Sequence, residues 1–196
     1  MKRRIFRLLR VFESEFQSLR LRKFFKKWFD VEVGLYSYGC FDPKRMPRGM
    51  RIGRYCSFAT SSYFFPRNHG VSYIGLTPYF YNSALGILSH DNIQNVSFVV
   101  EDDVWVGHNV TVTSKAHTLG RGSVIAANSV VTAPVPRYSI VAGNPARVIK
   151  YRFSPDVIDK IESTRWWDGN IDDIRNMITE RPELCFHPET YFDKED

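Results

Sequence analysis

No stretch of this 196-residue chain approaches the roughly 20 consecutive apolar residues that a membrane-spanning helix needs. The basic N-terminus also lacks the continuous apolar core and small-residue cleavage site of a secretion signal, so a cytoplasmic chain is expected. Cysteine is sparse: Cys40, Cys56 and Cys185 are odd in number and show no metal-type spacing, which points to reduced thiols. No two of His69, His90, His108 and His117 stand at the close spacing of a three-histidine zinc site, so no metal is expected. Acidic residues are in deficit, 21 against 27 Lys/Arg, for a net charge of +6. That excess is confined to residues 1–29, where ten Lys/Arg face only Glu13 and Glu15, a local charge of +8. The remaining 17 basic and 19 acidic residues leave the rest at −2. The body therefore carries no basic face, and no nucleic-acid partner is expected.

What the chain has instead is a period of six. Aliphatic residues recur at Val100, Val106, Val112, Leu119, Ile125 and Val131, every step being six except Val112 to Leu119, which has one residue more. A small residue follows in several units (Gly107, Gly120, Ala126). Six is neither the 3.6 of a helix nor strand alternation; it is the repeat of a parallel β-helix. Each hexad supplies one short strand and one turn, three hexads make a triangular coil, and the aliphatic residue points into the prism. Val33–Tyr38 and Ile52–Ser57 fit the pattern earlier in the chain, with Phe58 and Phe64 continuing the six-residue step and Cys56 in a packing role. Gly39–Met50, with two Pro and two Gly, reads as a loop interrupting the coil.

Three segments depart from the repeat. Residues 1–30 form a basic amphipathic segment: Ile5, Leu8, Leu9, Phe12, Phe16 and Leu19 make one helical stripe, and Leu21, Phe24, Phe25 and Trp28 a second, out of phase, with a break expected near Leu19–Leu21. Such a segment fits either peripheral contact with an anionic membrane or packing on this or a neighbouring subunit. Within the 31–152 coil, residues 70–98 lose the repeat altogether. A loop this long on a regular scaffold is a place for function, and Tyr73, Tyr79, Phe80 and Tyr81 give it aromatic walls. Residues 153–196 form a C-terminal helical cap and tail. Ser154-Pro155 starts a helix over 156–163, and Asn170 caps another through Glu180; together they should cover the open end of the prism, with the last ten or so residues as tail.

Several motifs together resemble the hexapeptide-repeat acyltransferases, most of all their xenobiotic acetyltransferase branch. They are Asn68-His69, TPYFYN at Thr77–Asn82, DVWVGHNV at Asp103–Val110, NSVVT at Asn128–Thr132, SIVAGNPARVIKYRF at Ser139–Phe153 and WWD at Trp166–Asp168. The resemblance implies an all-β solenoid, a left-handed parallel β-helix, assembled as a homotrimer with active sites between neighbouring subunits. It further implies acetyl-CoA as donor and a hydroxyl as acceptor. His69 matches the family's catalytic histidine. Trp105, Gly107, His108, Ala127, Thr132, Arg147 and Lys150 fall on its cofactor groove, while Asn68, Tyr73, Tyr79 and Trp105 fall at the acceptor side.

The chemistry agrees with that match on independent grounds. A hydroxyl attacking a thioester must lose its proton, and a side chain titrating near neutrality suits the task. Direct transfer requires no acyl-enzyme, so no nucleophilic Ser or Cys need be found. Arginine and lysine suit the cofactor's phosphates. Two departures from the family stand out: Ala133 replaces a lysine common after the NSVVT threonine, and no acid follows Asn68-His69, where Gly70-Val71-Ser72-Tyr73 stands. The second, with the basic segment, favours a sugar hydroxyl of a bacterial surface polysaccharide or its precursor as acceptor, handled at the inner membrane face. The alternative is a hydroxylated antibiotic of the streptogramin or chloramphenicol type.

Overall fold

Each aliphatic position of the hexads is the second residue of a two-residue strand. These strands are β5 (Val99–Val100), β6 (Trp105–Val106), β7 (Thr111–Val112), β8 (Thr118–Leu119), β9 (Val124–Ile125) and β10 (Val130–Val131). Side chains alternate across a strand. Val100, Val106, Val112, Leu119, Ile125 and Val131 therefore turn inward, each no more than 2% exposed, while Trp105 and its counterparts turn out. The computed structural model describes residues 2–193, with side chains from Arg4 onward.

The earlier strands are β1 (Glu32–Val33), β2 (Arg51–Ile52), β3 (Ser57–Phe58) and β4 (Tyr63–Phe64). From β2 onward each strand pairs in parallel with the one three further on: β2 with β5, β3 with β6, β4 with β7, and so through β7 with β10. The chain thus visits three parallel sheets in turn, a three-sided coil with one apolar interior. β11 (Ser139–Gly143) joins β9 in parallel, and β12 (Ala146–Tyr151) folds back antiparallel along it. The unit with the extra residue lies where expected: five residues rather than four separate β7 from β8, with the addition taken up in the turn at 113–117. By contrast, Ile52 pairs with Val100, 48 positions on, because the long loop after β4 has been inserted into that coil.

The N-terminal segment closes one end of this coil. α1 (Lys2–Phe12) and α2 (Leu19–Phe29) are separated by residues 13–18, so the break comes earlier than the hydrophobic stripes suggest. Ser18 causes it: its hydroxyl caps α2 by accepting from the Leu21 N–H at 3.0 Å. Phe6, Leu21 and Phe25 are buried with Val31, Phe41 and Met46 in the same core as the hexad residues. An end coil leaves carbonyls without a strand to bond. Two buried arginines take them. Arg22 donates to the carbonyls of Gly34 and Ser37, and Arg45 to those of Gly39 and Ser62.

The C-terminal helices do not cover an open end, contrary to the sequence expectation; they run along a corner. α3 (Pro155–Thr164) is capped by Ser154, and α4 (Ile171–Glu180) carries a capping box formed by Asn170 and Asp173. Their partners lie in three successive turns between the first and second sheets. The carbonyl of Gly169 accepts from Arg54 and from the Tyr55 hydroxyl, each at 2.6 Å; Arg121 pairs with Asp102 and Glu162, and Arg152 with Asp103. Tyr36, Tyr55, Asp103 and Tyr138 all turn this corner with positive φ. Two short helices follow, α5 (Pro182–Phe186) and α6 (Pro188–Asp193); α6 lies in the stretch expected as tail, and its Phe192 is buried beside Tyr138, Val157 and Ile161. Residues 194–196 of that tail lie outside the described residues.

Candidate active site

The loop inserted after β4 is held by an internal ion pair. Asp91 bonds Arg67 at 3.0 Å and accepts from both the backbone N–H and the hydroxyl of Ser83 at 2.7 Å. Those Ser83 bonds, with Arg67 as a lesser contributor, hold the Asp91 carboxyl below its ordinary range. The Arg67 guanidinium also lies over the Tyr81 ring, 5.3 Å from its centroid. Tyr81 is buried, meets the His69 ring edge to face at 5.6 Å, and brings its hydroxyl to 3.0 Å from His69 Nδ1.

The same nitrogen lies 2.7 Å from the carbonyl oxygen of Leu76. A carbonyl can only accept, so Nδ1 carries the proton; this tautomer is assigned from the partner. In the neutral imidazole the lone pair then falls on Nε2, on an exposed ring, the form a general base requires. Next to it, Asn68 donates to the Ser114 hydroxyl at 3.4 Å. The Tyr73 ring lies so close over Gly70 that a Cβ there would come within 2.4 Å of it. Tyr79 is exposed nearby in sequence, with no bond drawing it to His69.

A separate groove of about 500 Å³ runs along the second sheet, lined by Tyr38, Trp105, Gly107, His108, Ala126 and Ala127. Trp105 is 57% exposed and forms its wall. A Cβ on Gly107 would lie 2.8 Å from the Ala127 nitrogen and from the Ile125 carbonyl oxygen. The coils stack too closely there for any side chain, and backbone is presented directly to the groove. His108 Nδ1 is 3.0 Å from the Ser61 hydroxyl, which also accepts from the Asn109 N–H. Thr132 and Arg147 line a second cavity of about 390 Å³, beyond β10. Lys150, on β12, lines neither. Arg147 and Lys150 are exposed cations without an acidic partner among the described residues.

Within one chain the histidine and the groove are apart. Among the described residues no bond or ring contact joins His69 to the groove. The loop of His69 touches the coil at Ser114, in the turn from the third sheet to the first, whereas Trp105 lies on the second.

No protein-family model matches the chain. Individual proteins do. It is 35% identical over 130 residues to a probable macrolide acetyltransferase of Lysinibacillus sphaericus, covering 63% of this chain and 71% of that protein. Over 181 residues it is 30% identical to a chloramphenicol acetyltransferase of Agrobacterium fabrum, covering 80% of this chain and 83% of that one. The chain belongs to the hexapeptide-repeat acyltransferases. Among solved structures, a maltose O-acetyltransferase from Clostridium difficile 630 shares its fold, with a TM-score of 0.50 at 19% identity over 78% of this chain and 85% of that one.

The acyltransferase motifs thus fall into three places: Asn68, His69 and Tyr73 at the root of the loop; Trp105, Gly107, His108 and Ala127 in the groove; Thr132 and Arg147 beyond it. Sequence reading missed how the loop is held. Tyr81 reads only as an aromatic wall, yet it is the side chain that touches His69. Arg67 and Asp91, 24 positions apart, carry no local signal of their pairing. Ser61, which bonds His108, has no signal either.

Proposed function

We propose that this acyltransferase moves an acetyl group from acetyl-CoA to a sugar hydroxyl of a bacterial surface polysaccharide or its precursor. The observation that carries the reading is the Leu76 carbonyl on Nδ1 of His69, which puts the neutral ring's lone pair on Nε2 of an exposed side chain. Nε2 takes the hydroxyl proton as the oxygen attacks the thioester carbonyl. The C–S bond then breaks, and the same proton passes to the departing thiolate. No acyl-enzyme forms.

The groove residues suit the donor. Bare backbone at Gly107 lets pantetheine amides approach, exposed Trp105 offers a flat wall, and exposed Arg147 and Lys150 offer charge for phosphates. Because His69 and this groove lie on different sides of one coil, we read the active site as shared between neighbouring copies of a left-handed β-helix in a homotrimer. Exposed Tyr79 on the loop, with Asn68 and Tyr73 at its root, supplies the aromatic and polar surface that a sugar needs. Residues 1–29 would hold the enzyme at the inner face of the cytoplasmic membrane, where such precursors are made.

One finding favours a second reading. Five relatives at 30–35% identity are named for chloramphenicol or macrolides, which supports an antibiotic hydroxyl as acceptor. Both readings are tested together by following free thiol while the protein and acetyl-CoA meet a panel of nucleotide sugars, polysaccharide repeat units and antibiotics. Turnover on saccharides alone supports the first reading, and turnover on antibiotics alone overturns it in favour of the second. Thiol release that His69→Ala leaves unchanged would refute the general base.

A further inference from the structure

The amphipathic arc of α1 is divided between two duties. Phe6 is 2% exposed and stacks on Phe25 at 5.1 Å, with Phe29 edge-on at 5.2 Å; Leu9 packs beside it. This half of the arc closes the coil. The other half stays largely open: Leu8 is 62% exposed, Val11 75% and Phe12 84%, with Ile5 at 42%. Residues four apart share a helix ridge, so Arg4, Leu8 and Phe12 form one row and Arg7 with Val11 the next. Phe16 and Leu19, in and just after the connection to α2, extend the exposed apolar surface.

Charge distinguishes this patch from an ordinary unfilled groove. The two carboxylates of residues 1–29 are both engaged within the protein. Glu13 accepts from Ser18 and pairs with Arg20, while Glu15 pairs with Arg10 and accepts from the Gly39 N–H. Arg4, Arg7, Lys23 and Lys27 are exposed and have no acidic partner among the described residues. An apolar row flanked by free cations is complementary to an anionic bilayer surface, with aliphatic and aromatic tips in the acyl boundary and guanidinium groups among the headgroups. A second copy of this chain would bring the same free cations to its own patch.

We infer that α1 is at once the plug of the coil and a membrane anchor, with Leu8, Val11 and Phe12 entering the headgroup region of an anionic bilayer while Phe6 and Leu9 stay in the protein core. The inference rests on the peripheral-membrane part of the reading above and is independent of which acceptor is used. No helix among the described residues is long and apolar enough to cross a membrane, so the contact is interfacial.

The test is co-sedimentation of the full chain with phosphatidylglycerol–phosphatidylcholine vesicles and with pure phosphatidylcholine vesicles. It is run beside the double variant Leu8→Glu, Phe12→Glu, with oligomeric state and thiol release on a soluble acceptor measured in parallel. Binding to the anionic vesicles should weaken as salt rises. In the variant it should fall by more than about tenfold, with oligomeric state, melting temperature and turnover retained. Equal binding by wild type and variant would overturn the inference, as would no binding to either vesicle. A changed oligomeric state in the variant would show that another copy covers the face. Wild type that binds the anionic vesicles yet releases no thiol with any acceptor would count against the proposed reaction and leave the anchor standing.

Discussion

The hydroxyl of Tyr81 stands 3.0 Å from the same His69 nitrogen that the Leu76 carbonyl holds at 2.7 Å. The single Nδ1 proton is therefore shared between a backbone acceptor, which dictates the tautomer, and the oxygen of a buried phenol, whose ring also packs against the imidazole. His69→Ala should lower kcat by about 10²–10⁴, the usual contribution of a positioned acid–base group. Tyr81→Phe keeps the Leu76 bond and should lose roughly tenfold or less, since one hydrogen bond contributes on the order of 1 kcal/mol. Comparing kcat for thiol release among the two variants and wild type, at matched melting temperatures, checks both.

Acid should loosen the loop. The pKa of Asp91 is lowered in the folded protein, first by its Ser83 bonds and then by Arg67. Its stabilising effect is accordingly complete above the unfolded aspartate value of about 3.9 and is lost as pH falls through the lowered folded value. Proteolysis within residues 70–98 should accelerate across that window in wild type. Asp91→Asn should make cleavage fast at every pH, with little further change on acidification.

Gly107→Ala would place a methyl group 2.8 Å from two backbone atoms of the next coil. Backbone cannot move aside as a side-chain tip can, so a loss of about 1–3 kcal/mol is expected. The lost stability should appear in the urea midpoint, and KM for acetyl-CoA should rise with it.

Arg22→Met keeps most of the apolar stem but removes the donors that reach the Gly34 and Ser37 carbonyls. Carbonyls left buried and unbonded cost about 1–3 kcal/mol each. A drop in melting temperature is expected, larger than that of Lys23→Met on the exposed side of the same helix.

Thiol reagents should separate the cysteines. Burial raises both Cys40 and Cys56, the latter to about 12, so their thiolates are scarce at neutral pH. Cys185 is only partly buried. One fast equivalent in native protein and two more on denaturation is the expected count by Ellman titration.

The coil is legible in the sequence because its core has a single rule, an aliphatic residue every sixth position, and Val100 through Val131 obey it but for the one extra residue before Leu119. The corners are not. Tyr36, Tyr55 and Tyr138 hold a positive φ that sequence would assign to Gly, Asn or Asp. Their neighbours come from far along the chain: Tyr36 stacks on Tyr55 at 4.7 Å, Tyr138 packs beside Val157 and Ile161, and Tyr55 meets Trp166 at 5.1 Å. That contact and the bond from Arg54 to Gly169 join residues more than a hundred positions apart, beyond any local pattern. For the same reason the C-terminal helices read as an end cover rather than a corner strap. In the site, His69 is found from its motif, but its tautomer is not. The Leu76 acceptor is a backbone atom, and every residue type at position 76 would supply it.

Strands of two residues give this chain something like a reading frame. Trp105 lies opposite Val124 and Thr111 opposite Val130, each 19 positions on. Deleting one hexad between them would leave every aliphatic side chain pointing inward and still hand each downstream residue to the neighbouring face. The core would survive, while Ala127 would leave the side on which Trp105 stands and the groove would come apart. Only a change of three whole units preserves the phase. The opening after β4 escapes this rule, because its length is absorbed outside the coil, and that is where His69 sits.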